Sequence, residues 1–589
     1  MNNYKLNTGK EESIKSNAVQ VVVKKLWPLI EDEQRNVLMA LFTILINSSM
    51  NLIAPAIIAH TIDTSIKNSD FQGVLVNAGI LLCMYLVALV ASYLQTKWMG
   101  GVGQRVLFNL RNSLFKKIQS LPVDFFNQNK AGDLISRLNN DTDKLNQFFS
   151  QSLMQFLGNL FIMFGAGIFL ISLNWQLGIA TLIPALLLLI LTKVLSGWVK
   201  SSNSTSMKAL GNLSSEIQES LNNFKVIIAF NRRDYFRQRF SEVNKENHRA
   251  AVKAGIANGV FVPLYGFSSN IAQLIVIIFG IYLIINGSFT LGLLISFLAY
   301  ANNFYNPLRH LAALWANFQV AMAGWDRISE ILALESNLNT IESQVRATEA
   351  NSVLAFKKVS FNYPNGKNVL KDIDFNLEPG KTYALVGPTG GGKTTTASIM
   401  ARLYDPTTGQ VFLNGKDIRS YENSERTKRI GFILQEPFLF TGTVKENILY
   451  GNDELLSLAP AVLEQKLKEA NLDELLKRFD QGLETPIVSS ADGISLGQKQ
   501  ILAFIRAVLR NPDLLILDEA TANIDTITEQ ALEQILQKLP KTTTRVIIAH
   551  RLNTIENADE IFFINNGEVT KAGSFDHAVE MLLHGKRSS

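Results

Sequence analysis

Cysteine is nearly missing from this 589-residue chain: Cys83 stands alone, which excludes an internal disulfide framework, a CxxC redox pair and a multi-cysteine zinc site. Charge is scarce as well. Asp, Glu, Lys and Arg make up 18% of the residues, below the roughly 25% usual for soluble domains. Apolar residues reach 47% and mean hydropathy is positive at +0.13. One soluble domain is thereby excluded, and a membrane portion is indicated. The first 16 residues are polar and charged and lack the apolar core of a signal peptide. There is no repeat of short period and no low-complexity segment. At about 100 to 200 residues per domain, the length calls for several domains.

What charge there is falls unevenly. The long uncharged stretches all lie before about residue 325, at 37–59, 73–95, 152–173, 175–192, 258–286 and 289–307. At 1.5 Å per residue these six suffice to cross a hydrocarbon core about 30 Å thick. Buried helices of a large soluble protein would need polar faces at helical period, and the stretch 37–58 has no charge on any face. The segment between the second and third spans carries Arg105, Arg111, Lys116, Lys117, Arg137 and Lys144, and that between the fourth and fifth carries Arg232, Arg233, Arg237, Arg239, Lys245 and Arg249. The loop 60–72 has only Lys67. Lys and Arg concentrate on cytoplasmic loops, so both termini are expected in the cytoplasm. The same bias accounts for most of the net charge of +5, leaving little reason to expect nucleic acid as a partner. Residues 19–30, VQVVVKKLWPLI, read either as a helix lying in the inner membrane interface or as the start of the first span broken by Pro28. The two basic loops look helical, so the spans are expected to continue into the cytoplasm as long helices joined by short turns.

The remainder alternates apolar and polar residues as strands do, with Pro-Asn-Gly and Pro-Gly turns. The expected organisation is a cytoplasmic N-terminus with an interfacial elbow (1–35), a membrane domain (36–325), a linker (326–350) and an α/β domain (351–589). Strand TYALV runs into GPTGGGKTTT and then an apolar helix. This is the GxxxxGK[ST] pattern: a loop with Gly387, Thr389, Gly390 and Gly392 whose backbone N–H groups wrap phosphates, Lys393 for the β and γ oxygens, Thr394 for Mg²⁺, and Thr395 beside it. A second apolar run, LLILDE, ends in Asp518, suited to hold the metal, and Glu519, suited to polarise the attacking water.

Over essentially its whole length the chain resembles the half-transporter exporters of the ATP-binding cassette family: a polytopic α-helical membrane domain of six spans followed by an α/β P-loop nucleotide-binding domain. The resemblance implies an ATPase coupled to transport, with ATP and Mg²⁺ as cofactors, in the lipid bilayer of a cell membrane, of bacterial type. By that likeness Tyr363 is similar to the aromatic platform for adenine. Gln435 resembles the glutamine that touches Mg²⁺ and water, His550 the switch histidine on the γ-phosphate, and Asp525 the loop through which two cassettes communicate. Residues 121–145 and 214–230 resemble the two intracellular loops whose short transverse helices touch the cassettes.

In the family two cassettes sandwich two ATP molecules, each against the other chain's LSGGQ signature. Here that signature reads Ile494, Ser495, Leu496, Gly497 and Gln498, and Leu496 stands where glycine lets backbone approach phosphate. Ser489 also stands where exporters commonly carry glutamate. Intact loops with a departed signature resemble the D-type subunit of heterodimeric bacterial multidrug exporters of the EfrCD and LmrCD type, implying a second half-transporter as partner and one competent ATPase site. Lipid or peptide export is the alternative within transport, and a nucleotide-gated channel or regulatory subunit the alternative outside it; flux against a gradient discriminates. Asn47, Asn51, Asn270, Gln273, Tyr300, Asn302, Asn303 and Tyr305 lie in the spans. They serve either interhelical hydrogen bonds or a cavity, and a cavity without charge would favour large apolar or weakly polar compounds.

Overall fold

The computed structural model describes residues 4–6, 27–28, 30–338, 340–342, 352–364, 366, 368–456, 458, 460–470, 472–488, 494–518, 526–548, 556–573 and 575–584. The chain forms two compact units: residues 7–118 with 132–333, and residues 1–6 with 119–131 and 334–589.

The first unit is helical. Its elements are α1 (Gln34–His60), α2 (Phe71–Gln119), α4 (Ala131–Ser136), α5 (Thr142–Gln147), α6 (Leu153–Leu173), α7 (Trp175–Asn222), α8 (Phe224–Ala229), α9 (Arg233–Gly259), α10 (Phe261–Ile285) and α11 (Leu291–Leu332), while α3 (Val123–Gln128) belongs to the second unit. The long helices behave as the charge pattern predicts: α2 runs 49 residues and α7 runs 48, each well beyond its apolar span. Among the described residues five stretches are long and apolar enough to cross a membrane, namely Glu31–Ile66, Phe71–Gln119, Ala131–Leu173, Trp175–Asn222 and Arg233–Ile285. The sixth expected span is present as the helix α11, but Tyr300, Asn302, Asn303 and Tyr305 dilute its apolar character.

Those polar groups hold helices together. Tyr300 donates its hydroxyl to the Leu52 carbonyl (2.8 Å), Ser296 donates to Pro55 O (2.6 Å), Tyr305 donates to Thr181 O (2.8 Å), and Gln273 Nε2 donates to Asn302 Oδ1 (2.9 Å). In hydrocarbon a polar side chain needs such a partner, because no water replaces it. Asn51 bonds back to Asn47 along α1. Leu52, Leu170, Leu177, Val276 and Phe297 fill the space between the helices, whereas Leu82, Leu186 and Ile278 point outward. Beyond the apolar region Arg137, fully buried, pairs with Asp133 (2.9 Å) and Glu330 (2.6 Å), and Arg327 pairs with Asp133 (2.7 Å) and Asp141 (3.3 Å). This network ties the stretch from α4 to α5 onto the end of α11.

The second unit is α/β. Strands β1 (Leu354–Asn362), β2 (Asn368–Leu377), β4 (Thr408–Leu413) and β5 (Lys416–Asp417) make an antiparallel sheet in the order β2-β1-β4-β5. The main sheet has the order β12-β11-β3-β10-β9-β6, built from β3 (Thr382–Val386), β6 (Ile430–Ile433), β9 (Leu514–Asp518), β10 (Thr544–Ile548), β11 (Glu560–Asn565) and β12 (Glu568–Lys571). All its pairings are parallel except β11 with β12. A short pair, β7 (Gly442–Thr443) with β8 (Pro486–Ile487), completes the set. Parallel strands buried on both faces read as continuous apolar runs, and β9 is buried at all five positions. Ligands of such sheets bind beyond the carboxyl ends of the strands, where β3, β6, β9 and β10 all point the same way.

Candidate nucleotide-binding site

The loop 387–392 leaves β3 and enters α12 (Lys393–Met400). Gly387 has φ of 142°, and a Cβ there would sit 2.0 Å from the Ile564 carbonyl oxygen, so no other residue fits this turn. Gly390, at φ 81°, faces open space. Lys393 folds back into the loop and donates to the carbonyls of Gly387 (2.9 Å) and Pro388 (3.1 Å), leaving it 6% exposed. The first N–H groups of α12 and this ammonium therefore converge on one concave loop, the arrangement that binds anionic phosphates. Thr389 and Thr394 are exposed on the loop and the first helical turn, and Thr395 is buried.

Asp518 closes β9, is 2% exposed, and stands in register with Ile548 of β10, the strand between β9 and β3. Gln435, exposed, lies two residues beyond β6 at the same edge of the sheet. A hydroxyl, a carboxylate and an amide oxygen are hard donors, and that donor set fits Mg²⁺ and not a thiophilic metal. Glu519, Asp525, His550 and Ser489 lie outside the described residues.

Tyr363 follows β1 and is half-buried. Its hydroxyl and that of Thr395 share a hydrogen bond of 3.1 Å, and its ring meets Phe361 and Tyr404 edge-on at 4.9 and 5.6 Å. Tyr404 is a residue that sequence reasoning missed. Burial pushes its phenol above the usual range, so it stays neutral and accepts the side-chain N–H of Asn127, on α3, at 2.7 Å. The transverse helix expected in 121–145 is thus α3, seated one aromatic ring away from Tyr363. The only sequence signal for Tyr404 was an aromatic just after the phosphate-loop helix.

The departed signature opens α13 (Leu496–Val508). Ser495 is its N-cap: its hydroxyl accepts the Gln498 N–H (3.1 Å) while Gln498 Oε1 accepts the Ser495 N–H (3.0 Å). Such a capping box contributes about 1 kcal/mol to the helix end. Ile494 packs against the core below, and Leu496 presents an apolar side chain, 39% exposed, on the first turn. In the helical unit, α8 lies within the second basic loop, with Phe224, Val226 and Ile228 exposed along it and Phe230 just beyond it 75% exposed.

Residues 37–308 match the ABC transporter transmembrane region and residues 370–522 match the ABC transporter ATP-binding domain. The chain is 31% identical over 571 residues to an ABC transporter ATP-binding protein of Bacillus subtilis, YfiC, covering 97% of this chain and 94% of that protein. It is 29% identical to YgaD of the same bacterium, named for multidrug export, over 95% of this chain and 97% of that one. It is 28% identical to the ATP-dependent lipid A-core flippase of Pectobacterium atrosepticum, over 94% of each. The chain belongs to the ATP-binding cassette transporters, as an exporter half-transporter that joins a membrane domain to an ATP-binding domain. It is a multi-pass membrane protein, and its ATPase activity is coupled to transport.

Proposed function

We propose that this chain is one subunit of a heterodimeric bacterial exporter that moves hydrophobic or amphipathic compounds out across the cell membrane, with both termini in the cytoplasm and a single competent ATPase site. The observation that carries this reading is the pairing of a complete phosphate loop with a signature helix whose first turn bears Leu496. On its own loop, ATP is cradled by Gly387, Thr389, Gly390 and Gly392 with Lys393 and Thr395, and Tyr363 stacks on adenine. Thr394, Asp518 and Gln435 would hold Mg²⁺, which would supply positive charge to the phosphates. Glu519 takes the proton of the attacking water, Gln435 orients that water, and His550 steadies the γ-phosphate; Asp525 answers to the partner cassette. Such catalysis is positioning and charge stabilisation.

The partner's nucleotide meets Ile494, Ser495, Leu496, Gly497 and Gln498. Leu496 holds it away from the N–H groups of α13, so that ATP stays bound through many cycles. The exposed apolar end of α8 supports a second subunit too, because Ile217, Leu221, Phe224, Phe236 and Phe240 line an open groove of about 440 Å³ that a partner's ATP-binding domain would cover. For the cargo, spans without charge and the likeness to YgaD favour multidrug export. The likeness to the flippase supports lipid as the second reading. Reconstitution of the chain with its genomic neighbour in proteoliposomes, scored for ATP-dependent dye and lipid movement, tests both. Dye efflux is expected, and lipid movement alone would replace the first reading with the second.

A further inference from the structure

We propose that residues Tyr4–Leu6 form a strap that positions α3 and, through Asn127 and Tyr404, sets how tightly the Tyr363 platform holds the base of ATP. This rests on Tyr363 being that platform.

Tyr4 is 1% exposed and Leu6 3%. Two amide side chains at the end of α3 read the strap's backbone: Tyr4 N–H donates to Gln128 Oε1 (3.1 Å), Asn129 Nδ2 donates to Tyr4 O (2.9 Å), and Leu6 N–H donates to Asn129 Oδ1 (3.0 Å). The Tyr4 phenol reaches further. It donates to Glu335 O (2.9 Å) and accepts the Asn337 N–H (2.9 Å), while its ring meets Phe125 edge-on at 6.5 Å. One side chain thus joins the start of the chain, the first coupling helix and the segment just beyond α11.

A helix of six residues has little stability of its own, so what holds α3 decides where it sits. Three consecutive residues share that work: Asn127 bonds Tyr404, and Gln128 and Asn129 bond the strap. From Tyr404 the path continues edge-on to Tyr363 and from its hydroxyl to Thr395 on the phosphate-loop helix. Every link lies within one compact unit. Loosening the strap frees α3, removes the Asn127 partner from Tyr404, and lets the Tyr363 ring rotate out of its stacking orientation. The phosphate loop, turned by its own glycines and closed by Lys393, loses only the Thr395 contact with Tyr363.

That separation supplies the test. The full chain in lipid nanodiscs is titrated calorimetrically with ATP and, separately, with inorganic tripolyphosphate at fixed Mg²⁺, as wild type, Tyr4→Ala, Tyr4→Phe and Tyr363→Ala. Tyr4→Ala is expected to weaken ATP about 3- to 10-fold, as loss of one or two buried hydrogen bonds would, and tripolyphosphate less than about twofold. Tyr4→Phe, which keeps the ring on Phe125, falls between. Amide exchange across 123–129 is expected to quicken in Tyr4→Ala. Equal weakening of both ligands, or unchanged ATP affinity, overturns the proposal. If Tyr363→Ala binds ATP as wild type does, the platform reading fails and the nucleotide arm falls with it. Exchange then decides the strap's seat alone, and unchanged rates overturn that as well.

Discussion

The two short helices α3 and α8, each joined to the end of a long apolar helix, meet opposite fates. One is finished within the chain: Phe125 is buried, Asn127 is bonded to Tyr404, and Gln128 and Asn129 are bonded to the strap. The other ends in phenylalanines, valine and isoleucine left in the open. The nucleotide apparatus divides the same way. Lys393 lies enclosed in its loop, whereas Leu496 stands out from a signature helix that caps itself. The difference teaches what the chain packs within itself, its phosphate loop and the seat of α3, and what it leaves exposed, α8 and Leu496; on the proposed reading a second subunit covers those.

The largest effect should come on the completed side. Glu519→Gln is expected to lower ATP turnover of the assembled transporter by at least about 100-fold while ATP still binds, because a positioned base contributes about 10²- to 10⁴-fold. Phosphate release alongside nucleotide titration checks this, and retained turnover would move catalysis to the partner's loop. Chelation of Mg²⁺ should abolish turnover in the same assay if the hydroxyl, carboxylate and amide donors of Thr394, Asp518 and Gln435 act, as proposed, through the metal. On the open side, Phe224→Asp with Phe230→Asp should cut recovery of the partner subunit in co-purification about tenfold, as loss of an apolar anchor of 1 to 2 kcal/mol does, and leave the fold intact. Unchanged recovery would mean that α8 faces something other than the partner. Smallest of all, Leu496→Gly should change turnover of the pair less than about twofold if, as proposed, the site it faces is not the one that turns over; a severalfold gain would show that Leu496 had been limiting.

Much of this division is legible in the sequence where it is local. The phosphate loop is contiguous, with its glycines, lysine and threonines fixed by one turn between a strand and a helix, so ten residues are enough to recognise it. Helix lengths in the membrane unit followed from apolar runs and Lys and Arg placement. What stayed hidden is long-range. Tyr404 lies 277 positions from Asn127, and Tyr4 lies 331 from Glu335; no periodicity connects them. Tyr300 and Tyr305 illustrate a middle case. Their polarity at bilayer depth flags them for an interhelical bond or a cavity, and the structure places their hydroxyls on the carbonyls of Leu52 and Thr181.

The measurement that bears most directly on the single-site account is ATP turnover of the purified chain without a partner, set beside turnover of the assembled pair. Alone, each of its sites would be closed by Ile494 to Gln498 with Leu496 against the phosphates, so turnover is expected to be at least about tenfold slower than that of the pair, a loss of about 1.4 kcal/mol or more of transition-state stabilisation. Turnover by the lone chain equal to that of the pair would contradict the account.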